Sequence, residues 1–221
     1  MSGRVPHDLP MREADVDVRA WKEPDRGPVD AHPRRSRTGL AGAMAVVLSV
    51  GLAAGGWAGW LRLSGNIHEF DGGMYRSGQL GPERLSSFVR EHGIRTVLNL
   101  RGENPGKGWY DAEIGAVSEA GATLVSIQLS AAHEPDAVTM ARLIEVLRTS
   151  PRPLLLHCDA GADRSGLASA LYELAVMHRA PATADRQLSF RYGHFPWLTS
   201  KSGAMDRAFA AYSAAFEAAG G

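Results

Sequence analysis

Apolar and polar positions divide the chain into three segments. Residues 1–38 are polar, carry mixed charge and lack apolar periodicity, which predicts a disordered arm. Residues 39–61 contain no charged side chain, and an apolar helix of about 20 residues is enough to cross a bilayer. From residue 64 onward, short apolar runs alternate with amphipathic stretches, which predicts a folded domain over residues 64–221.

The third segment alternates strand-like and helix-like patterns. Two short runs on either side of Gly72-Gly73 predict a hairpin. Alternating strands and helices predict an α/β fold of three layers, with a mostly parallel central sheet flanked by helices. The predicted strands cover residues 67–70, 74–77, 96–100, 123–129 and 154–156. The predicted helices cover residues 82–92, 111–120, 135–149, 165–178, 182–190 and 203–218. In the helix over 135–149, Val138, Leu143, Val146 and Leu147 are expected on one face.

The uncharged segment 39–61 is predicted to be a transmembrane helix. A buried helix of a soluble domain and a cleaved signal peptide are the alternatives. Trp57 and Trp60 lie near its end, where aromatic rings favour the membrane interface. Basic residues are more frequent before the segment than after it, which predicts a single-pass protein with a cytoplasmic N-terminus and a periplasmic or otherwise extracytoplasmic domain. Before the segment lie Lys22, Arg26, Arg34, Arg35 and Arg37, and after it lie Arg62 and Arg76.

Gly51, Gly55 and Gly59 form a stripe on one face of this helix. Small residues at this spacing let two helices approach closely, so a homodimer through the stripe is a hypothesis. The alternative is that small residues are simply common in an Ala- and Gly-rich span.

Overall charge and cysteine content limit the function classes. The 24 basic and 24 acidic residues cancel, which gives no electrostatic reason to expect a nucleic-acid partner. One cysteine excludes an internal disulfide framework and a multi-cysteine zinc site. The histidines at positions 68, 92, 133, 178 and 194 do not show metal-ligand spacing, and the chemistry that the sequence predicts needs neither a metal nor an organic cofactor.

The residues with the clearest chemistry form the run HCDAGADRSG, from His157 to Gly166. It follows an apolar strand and opens a helix, the place where α/β proteins bind anions on backbone N–H groups. Cys158 would face these groups as a thiolate nucleophile, and the guanidinium of Arg164 would bind two phosphate oxygens in the transition state. The expected phosphate-binding residues are Asp159, Ala160, Gly161, Ala162, Asp163 and Arg164.

Three neighbours have expected supporting roles. Gly161 lets the backbone bend inward, and Ser165 is expected to cap the helix and donate its hydroxyl to the sulfur. His157 is expected to hold the loop by hydrogen bonds. The alternative is that Cys158 is a small buried hydrophobe and Arg164 a surface ion-pair partner.

This run resembles the signature of the cysteine-dependent protein tyrosine phosphatases, in which Cys, five residues, Arg and then Ser or Thr follow one another. The short domain is most similar to the dual-specificity-like members, and the stretches 74–79 and 93–101 also resemble small bacterial, plant and fungal members. The resemblance covers about residues 66–200. It implies a phosphocysteine intermediate and a separate general acid.

The identity of the general acid stays open. In some relatives with Asp-Arg at this point of the loop the Asp acts as the acid, which favours Asp163. Others use an upstream loop, here represented by Glu134 and Asp136, although Asp136 can equally cap a helix. Asp159 is expected to point outward.

Further residues have two interpretations. Arg76 and Arg101 either shape the phosphate pocket or brace it by hydrogen bonds. The sequence His194-Phe195-Pro196-Trp197 is either an aromatic rim or part of the core. Some lipid-directed relatives carry Lys where this chain has Ala162, and its absence argues against a phosphoinositide substrate.

The sequence thus predicts a phosphomonoesterase whose expected substrate is protein phosphotyrosine, with phosphoserine or phosphothreonine as open alternatives. One alternative is an inositol phosphate or phosphoinositide phosphatase. Another is a phosphate-binding module without turnover, against which the intact Cys158, Arg164 and Ser165 argue. A sulfur-transfer domain also holds a Cys in an anion loop, but the Arg-Ser-Gly at this spacing argues against it.

Overall fold

The computed structural model describes residues 37–197 and 200–220. The predicted disordered arm lies outside the described residues, except that Arg37 and Thr38 begin the first helix. The helices are α1 (Arg37–Ser64), α2 (Pro82–Glu91), α3 (Gly108–Glu119), α4 (Ala137–Thr149), α5 (Asp163–Leu171), α6 (Pro181–Ala184) and α7 (Gly203–Ala218). The strands are β1 (His68–Asp71), β2 (Met74–Ser77), β3 (Thr96–Asn99), β4 (Thr123–Ser126) and β5 (Leu154–His157).

The five strands form one sheet in the order β1-β2-β5-β3-β4. The hairpin β1–β2 is antiparallel, and all the other pairs are parallel, as the alternating pattern predicts. β5 lies in the middle, with Ser77 of β2 and Asn99 of β3 both in register with His157. The carboxyl ends of three strands therefore meet directly in front of Cys158.

Helices cover both faces of the sheet because successive side chains of a buried strand point to opposite faces. Leu154 and Leu156 of β5 belong to a core that includes residues of α4, α5 and α7. Leu155 belongs to a second core with residues of α2 and α3. Both faces of β5 are thus shielded from solvent, which explains why three consecutive residues of this strand are leucines.

The predicted membrane segment is helical and exposed. The stretch Gly42–Ser64 is long and apolar enough to cross a membrane by length and composition, and residues 42–60 are exposed. This exposure argues against the alternative of a buried soluble helix. The helix ends at Ser64, three residues beyond the predicted span.

The last turn of α1 packs against the loop between β5 and α5. The side chain of Leu61 is 5% exposed, and Arg62 lies 3.6 Å from Asp159. Asn66, just after the helix, donates from Nδ2 to the carbonyl oxygens of Ala160 (3.0 Å) and Tyr192 (2.8 Å). The residues before position 64 therefore contribute to the packing of the domain.

Two predicted details of the helices were wrong, and a third helix is present with slightly different ends. The helix predicted over 182–190 is broken into α6 and two 3₁₀ turns, Asp185–Gln187 and Phe190–Tyr192. The helix predicted over 165–178 begins earlier, at Asp163, and continues after Leu171 as a π-helical turn over Tyr172–Val176. Val138 is 78% exposed, so it does not share the buried face of α4.

We predict a contrast between two alanine variants of α4. Leu143 is fully buried, so Leu143→Ala should lower the free energy of unfolding by about 2–5 kcal/mol. Val138→Ala should change it by less than about 0.5 kcal/mol, because that side chain is in solvent. Urea unfolding followed by circular dichroism measures both, and equal losses would contradict the observed helix face.

Candidate active site

Cys158 lies at the base of a loop between β5 and α5. Its side chain is buried, and Sγ accepts a hydrogen bond from the backbone N–H of Gly161 at 3.3 Å. α5 begins at Asp163, so the positive end of its helix dipole faces the loop. This is the strand, loop and helix arrangement that the sequence predicts.

Gly161 is required by the close approach of the loop to β2. Its φ is +74°, and a Cβ placed on it would lie 2.5 Å from the backbone nitrogen of Gly78. No other residue type fits this position without moving the backbone. Beside it, the carbonyls of Ala160 and Ala162 accept bonds from Asn66 and Arg76 respectively.

Arg164 is half-buried and has few protein partners. Its Nη1 lies 3.5 Å from the carbonyl oxygen of Leu129, at the limit of a hydrogen bond. Its Nε is buried and has no hydrogen-bond partner in residues 37–197 or 200–220. Among the described residues, Arg76 Nε and Ser169 Oγ are also buried without a partner, but Arg164 differs from Arg76 in that its Nη groups make only this one long contact to the protein.

Ser165 differs from its predicted role. It is fully buried in the first turn of α5, and Ala162, not Ser165, is the N-cap residue. Its hydroxyl donates to the carbonyl oxygen of Ser77 at 3.3 Å. Ser165 therefore ties the loop to the end of β2, and no contact to Cys158 Sγ is found.

Arg76 braces the loop from beneath. It is fully buried and donates to the carbonyl oxygens of Gly161 (2.9 Å) and Ala162 (3.1 Å). It also donates to the carbonyl oxygen and to Oε1 of Gln187, both at 2.8 Å, and it stacks on Tyr192. Burial lowers the pKa of Arg76 to about 10, so it stays cationic at neutral pH. Of its two interpretations, the structure favours the brace.

A buried polar chain continues behind Arg76. Gln187 Nε2 donates to Oε1 of Glu173 at 2.7 Å, and Glu173 lies 3.3 Å from Arg179. Arg179 in turn donates to Asp71 at 2.6 Å. Burial raises the pKa of Glu173, whose position in the π-helical turn directs it toward Gln187.

His157 is held by a residue that the sequence analysis missed. Its Nε2 lies 2.6 Å from Oε1 of Glu113, and both side chains are almost fully buried. Glu113 also accepts hydrogen bonds from Asn99 (2.9 Å) and Gln79 (3.4 Å). Glu113 lies on α3, and the only signal in the sequence is an acidic residue on the helix face that also carries Ala116 and Val117.

Arg101 and Asp159 form an ion pair at the outer side of the loop. Asp159 is half-exposed, as expected, and lies 3.6 Å from both Arg62 and Arg101. Arg101 also donates to Oε1 of Gln79 at 3.0 Å and stacks on Trp109. Arg101 thus braces the loop through side chains instead of backbone carbonyls.

The three candidate acids have different partners. Asp163 Oδ1 lies 2.7 Å from Nδ1 of His194. Glu134 accepts from Arg207 at 2.6 Å in an exposed ion pair. Asp136 caps α4 by accepting from the N–H of Thr139 at 2.7 Å, and this bond lowers its pKa. Only Asp163 belongs to the loop that holds Cys158.

Residues 194–197 belong partly to the core and partly to an exposed aromatic rim. His194 is 1% exposed and is part of the packed interior. Phe195 and Trp197 are 41% and 59% exposed, with their ring centroids 5.0 Å apart. Within the described residues, no group of three His, Cys, Asp or Glu side chains is arranged to hold a metal ion.

Comparison with known proteins identifies the family. The family model described as DSP-PTPase phosphatase fused to NAD+ kinase matches residues 66–195, which is more than half of the chain. The chain belongs to this family. It is therefore a phosphatase of the cysteine-dependent, dual-specificity type, and the resemblance seen in the loop is confirmed. A search of curated proteins found no match.

Solved phosphatase structures share the fold. TpbA of P. aeruginosa, solved in complex with pTyr, is 19% identical, with 70% of this chain and 91% of TpbA covered at a TM-score of 0.51. Tk-PTP in its active form is 15% identical, with coverages of 67% and 97% and a TM-score of 0.52. The catalytic core of the PP-IP phosphatase SIW14 of S. cerevisiae is 18% identical, with coverages of 64% and 83% and a TM-score of 0.50.

We predict that Arg76→Lys lowers both stability and turnover of this phosphatase. A lysine has a single nitrogen with three donors and cannot replace the four bonds that the two Nη groups of Arg76 make, so the free energy of unfolding should fall by about 2–4 kcal/mol. Thermal unfolding and aryl phosphate turnover measure the two effects. The control is Arg90→Lys on the exposed side of α2, and the same behaviour in both variants would contradict the bracing role.

Proposed function

We propose that this phosphatase hydrolyses phosphomonoesters through a phosphocysteine intermediate. Cys158 attacks phosphorus as a thiolate, Arg164 binds the equatorial oxygens, and water then hydrolyses the thiophosphate. The observation that supports the proposal is a buried Cys158 that accepts from the N–H of Gly161, in a loop that leads directly into the half-buried Arg164 at the start of α5. The loop residues 159–163 supply the remaining N–H donors in this proposal.

Asp163 is the proposed general acid. It lies in the loop itself, directly before Arg164, whereas Glu134 is engaged by Arg207 and Asp136 caps α4. The proton is needed because an alkoxide or phenoxide is a poor leaving group. Asp163 would donate it as the P–O bond breaks.

Protein phosphotyrosine is the proposed substrate class. The exposed rings of Phe195 and Trp197 follow His194, which contacts the loop through Asp163, and aromatic rings suit an aryl phosphate. The loop carries Ala162 instead of a cation that would bind additional phosphates. TpbA, one structural relative, was solved with pTyr, whereas SIW14 is a PP-IP phosphatase, so an inositol phosphate is the second candidate.

We expect chelator-resistant turnover from the full chain purified in detergent. Cys158→Ser should lower the rate on an aryl phosphate by about 10³-fold or more, because no other thiol is present. Acid quenching of the wild type should trap a phosphocysteine. If the wild type binds vanadate without turnover, the chain is a binding module, and absence of both would contradict the proposed phosphate site.

We predict that Asp163→Asn slows the reaction in proportion to the basicity of the leaving group. The loss should reach about 10²-fold on a phosphotyrosine peptide. It should be much smaller on 4-nitrophenyl phosphate, because its leaving group, 4-nitrophenolate, departs without needing a proton. Glu134→Gln and Asp136→Asn are the matched comparisons. If one of them shows this dependence and Asp163→Asn does not, the acid lies in the 130–136 loop.

We further propose that α1 anchors the enzyme in a membrane with residues 1–36 in the cytoplasm and the catalytic domain outside. The basic residues before the span support this orientation. In a Cys158→Ser background, Ser118→Cys on the exposed face of α3 should react with an impermeant maleimide on intact bacterial cells. Ser2→Cys should react only after lysis, and the opposite result would reverse the topology.

A further inference from the structure

A buried histidine links the catalytic loop to the last helix. His194 Nδ1 lies 2.7 Å from Oδ1 of Asp163, the first residue of α5. Its Nε2 lies 2.9 Å from Oδ2 of Asp206 on α7. His194 itself is 1% exposed, so water does not compete for either nitrogen.

Two carboxylates on one imidazole require two protons. A neutral imidazole has one N–H and one lone pair, and a lone pair facing a carboxylate oxygen at this distance would be repelled. The arrangement is satisfied when His194 is an imidazolium that donates to both Asp163 and Asp206. Each acid then accepts a charge-assisted hydrogen bond.

The surrounding charges favour this imidazolium. Burial alone would lower the pKa of His194, but the hydrogen bonds and charges of Asp163 and Asp206 outweigh it and raise the pKa. Asp185, in the 3₁₀ turn, is a third carboxyl group that interacts with this cluster, and burial together with the charge of Asp206 raises its pKa. Arg76 is the nearby cation that interacts with Asp163.

We propose that His194 is a positioning residue for Asp163: its Nδ1–H holds Oδ1 and leaves Oδ2 to carry the proton that the leaving group receives. Oδ2 has no hydrogen-bond partner in the described part of the chain, and the Asp163 side chain is 26% exposed. The proposal rests on the proposed role of Asp163 as the general acid.

The chemical step balances on these groups. As the Sγ–P bond forms, the P–O bond breaks and its electron pair goes to the leaving oxygen, which takes the proton from Oδ2. Asp163 becomes a carboxylate beside the imidazolium of His194, which stabilises this conjugate base. A more stable conjugate base favours transfer of the proton to the leaving oxygen.

The first test is the pH profile of kcat/KM for the full chain with a phosphotyrosine peptide. His194→Gln keeps an amide donor but removes the positive charge beside Asp163, so the basic limb of the profile should move to higher pH. The plateau rate should fall by about three- to tenfold, because the acid is weaker. His178→Gln, an exposed histidine near Phe216 of α7, is the control and should leave the profile unchanged.

A second measurement does not depend on turnover. In an NMR titration of the ring protons of His194, Asp206→Asn should lower the pKa of the imidazole because one carboxylate charge is lost. The raised pKa in the folded state also means that the bridge stabilises the wild type at low pH. This stabilisation should be lost as pH rises through the pKa of folded His194, and His194→Gln should abolish the dependence.

The outcomes separate this proposal from the proposed function. A lower stability of His194→Gln with an unmoved pH profile would make the histidine a structural bridge and overturn the positioning role. A basic limb that persists in Asp163→Asn would overturn both the acid assignment and this proposal. Loss of turnover in Cys158→Ser would still support the phosphocysteine mechanism in either case.

Discussion

The burial of one guanidinium is the constraint on which the site depends. A buried guanidinium is costly unless most of its donors are bonded, and the two Nη groups of Arg76 donate four hydrogen bonds to two loop carbonyls and to Gln187, while its Nε has no partner in the described residues. The same bonds that lower the cost of burying Arg76 hold the carbonyls of Gly161 and Ala162 toward β2. On the same loop, the N–H of Gly161 donates to Sγ of Cys158.

Several polar side chains around the loop contact a group of opposite or complementary character. Asp159 is opposed by Arg62 and Arg101, Asp163 by His194, and His157 by Glu113. Arg164 has no carboxylate partner among the described residues, and its Nε is buried without a hydrogen bond. The acidic residues that make the loop unusual for an anion site are therefore neutralised by neighbours, which leaves the guanidinium of Arg164 available to a phosphoryl group.

The end of α1 is coupled to the loop by direct contacts. Leu61 is buried in the domain, Arg62 faces Asp159, and Asn66 holds the carbonyls of Ala160 and Tyr192. In the membrane arrangement that we propose, Trp57 and Trp60 would lie at the interface, and these contacts would hold the loop within a few turns of the bilayer surface.

The sequence by itself determined the α/β class, the hairpin, the apolar helix and the loop with Cys158 and Arg164, because these depend on local periodicity and on residues close in the chain. Only the tertiary structure decided what surrounds the loop. His194, Asp206, Glu113 and Gln187 come from elements distant in sequence, and Ser165 turned toward Ser77 because β2 lies beside β5. The predicted helix over 182–190 is interrupted for the same reason. The carbonyl oxygen of Gln187 accepts from Arg76, and Gln187 and Leu188 pack against Gly166 of α5, so these long-range contacts outweigh helix propensity.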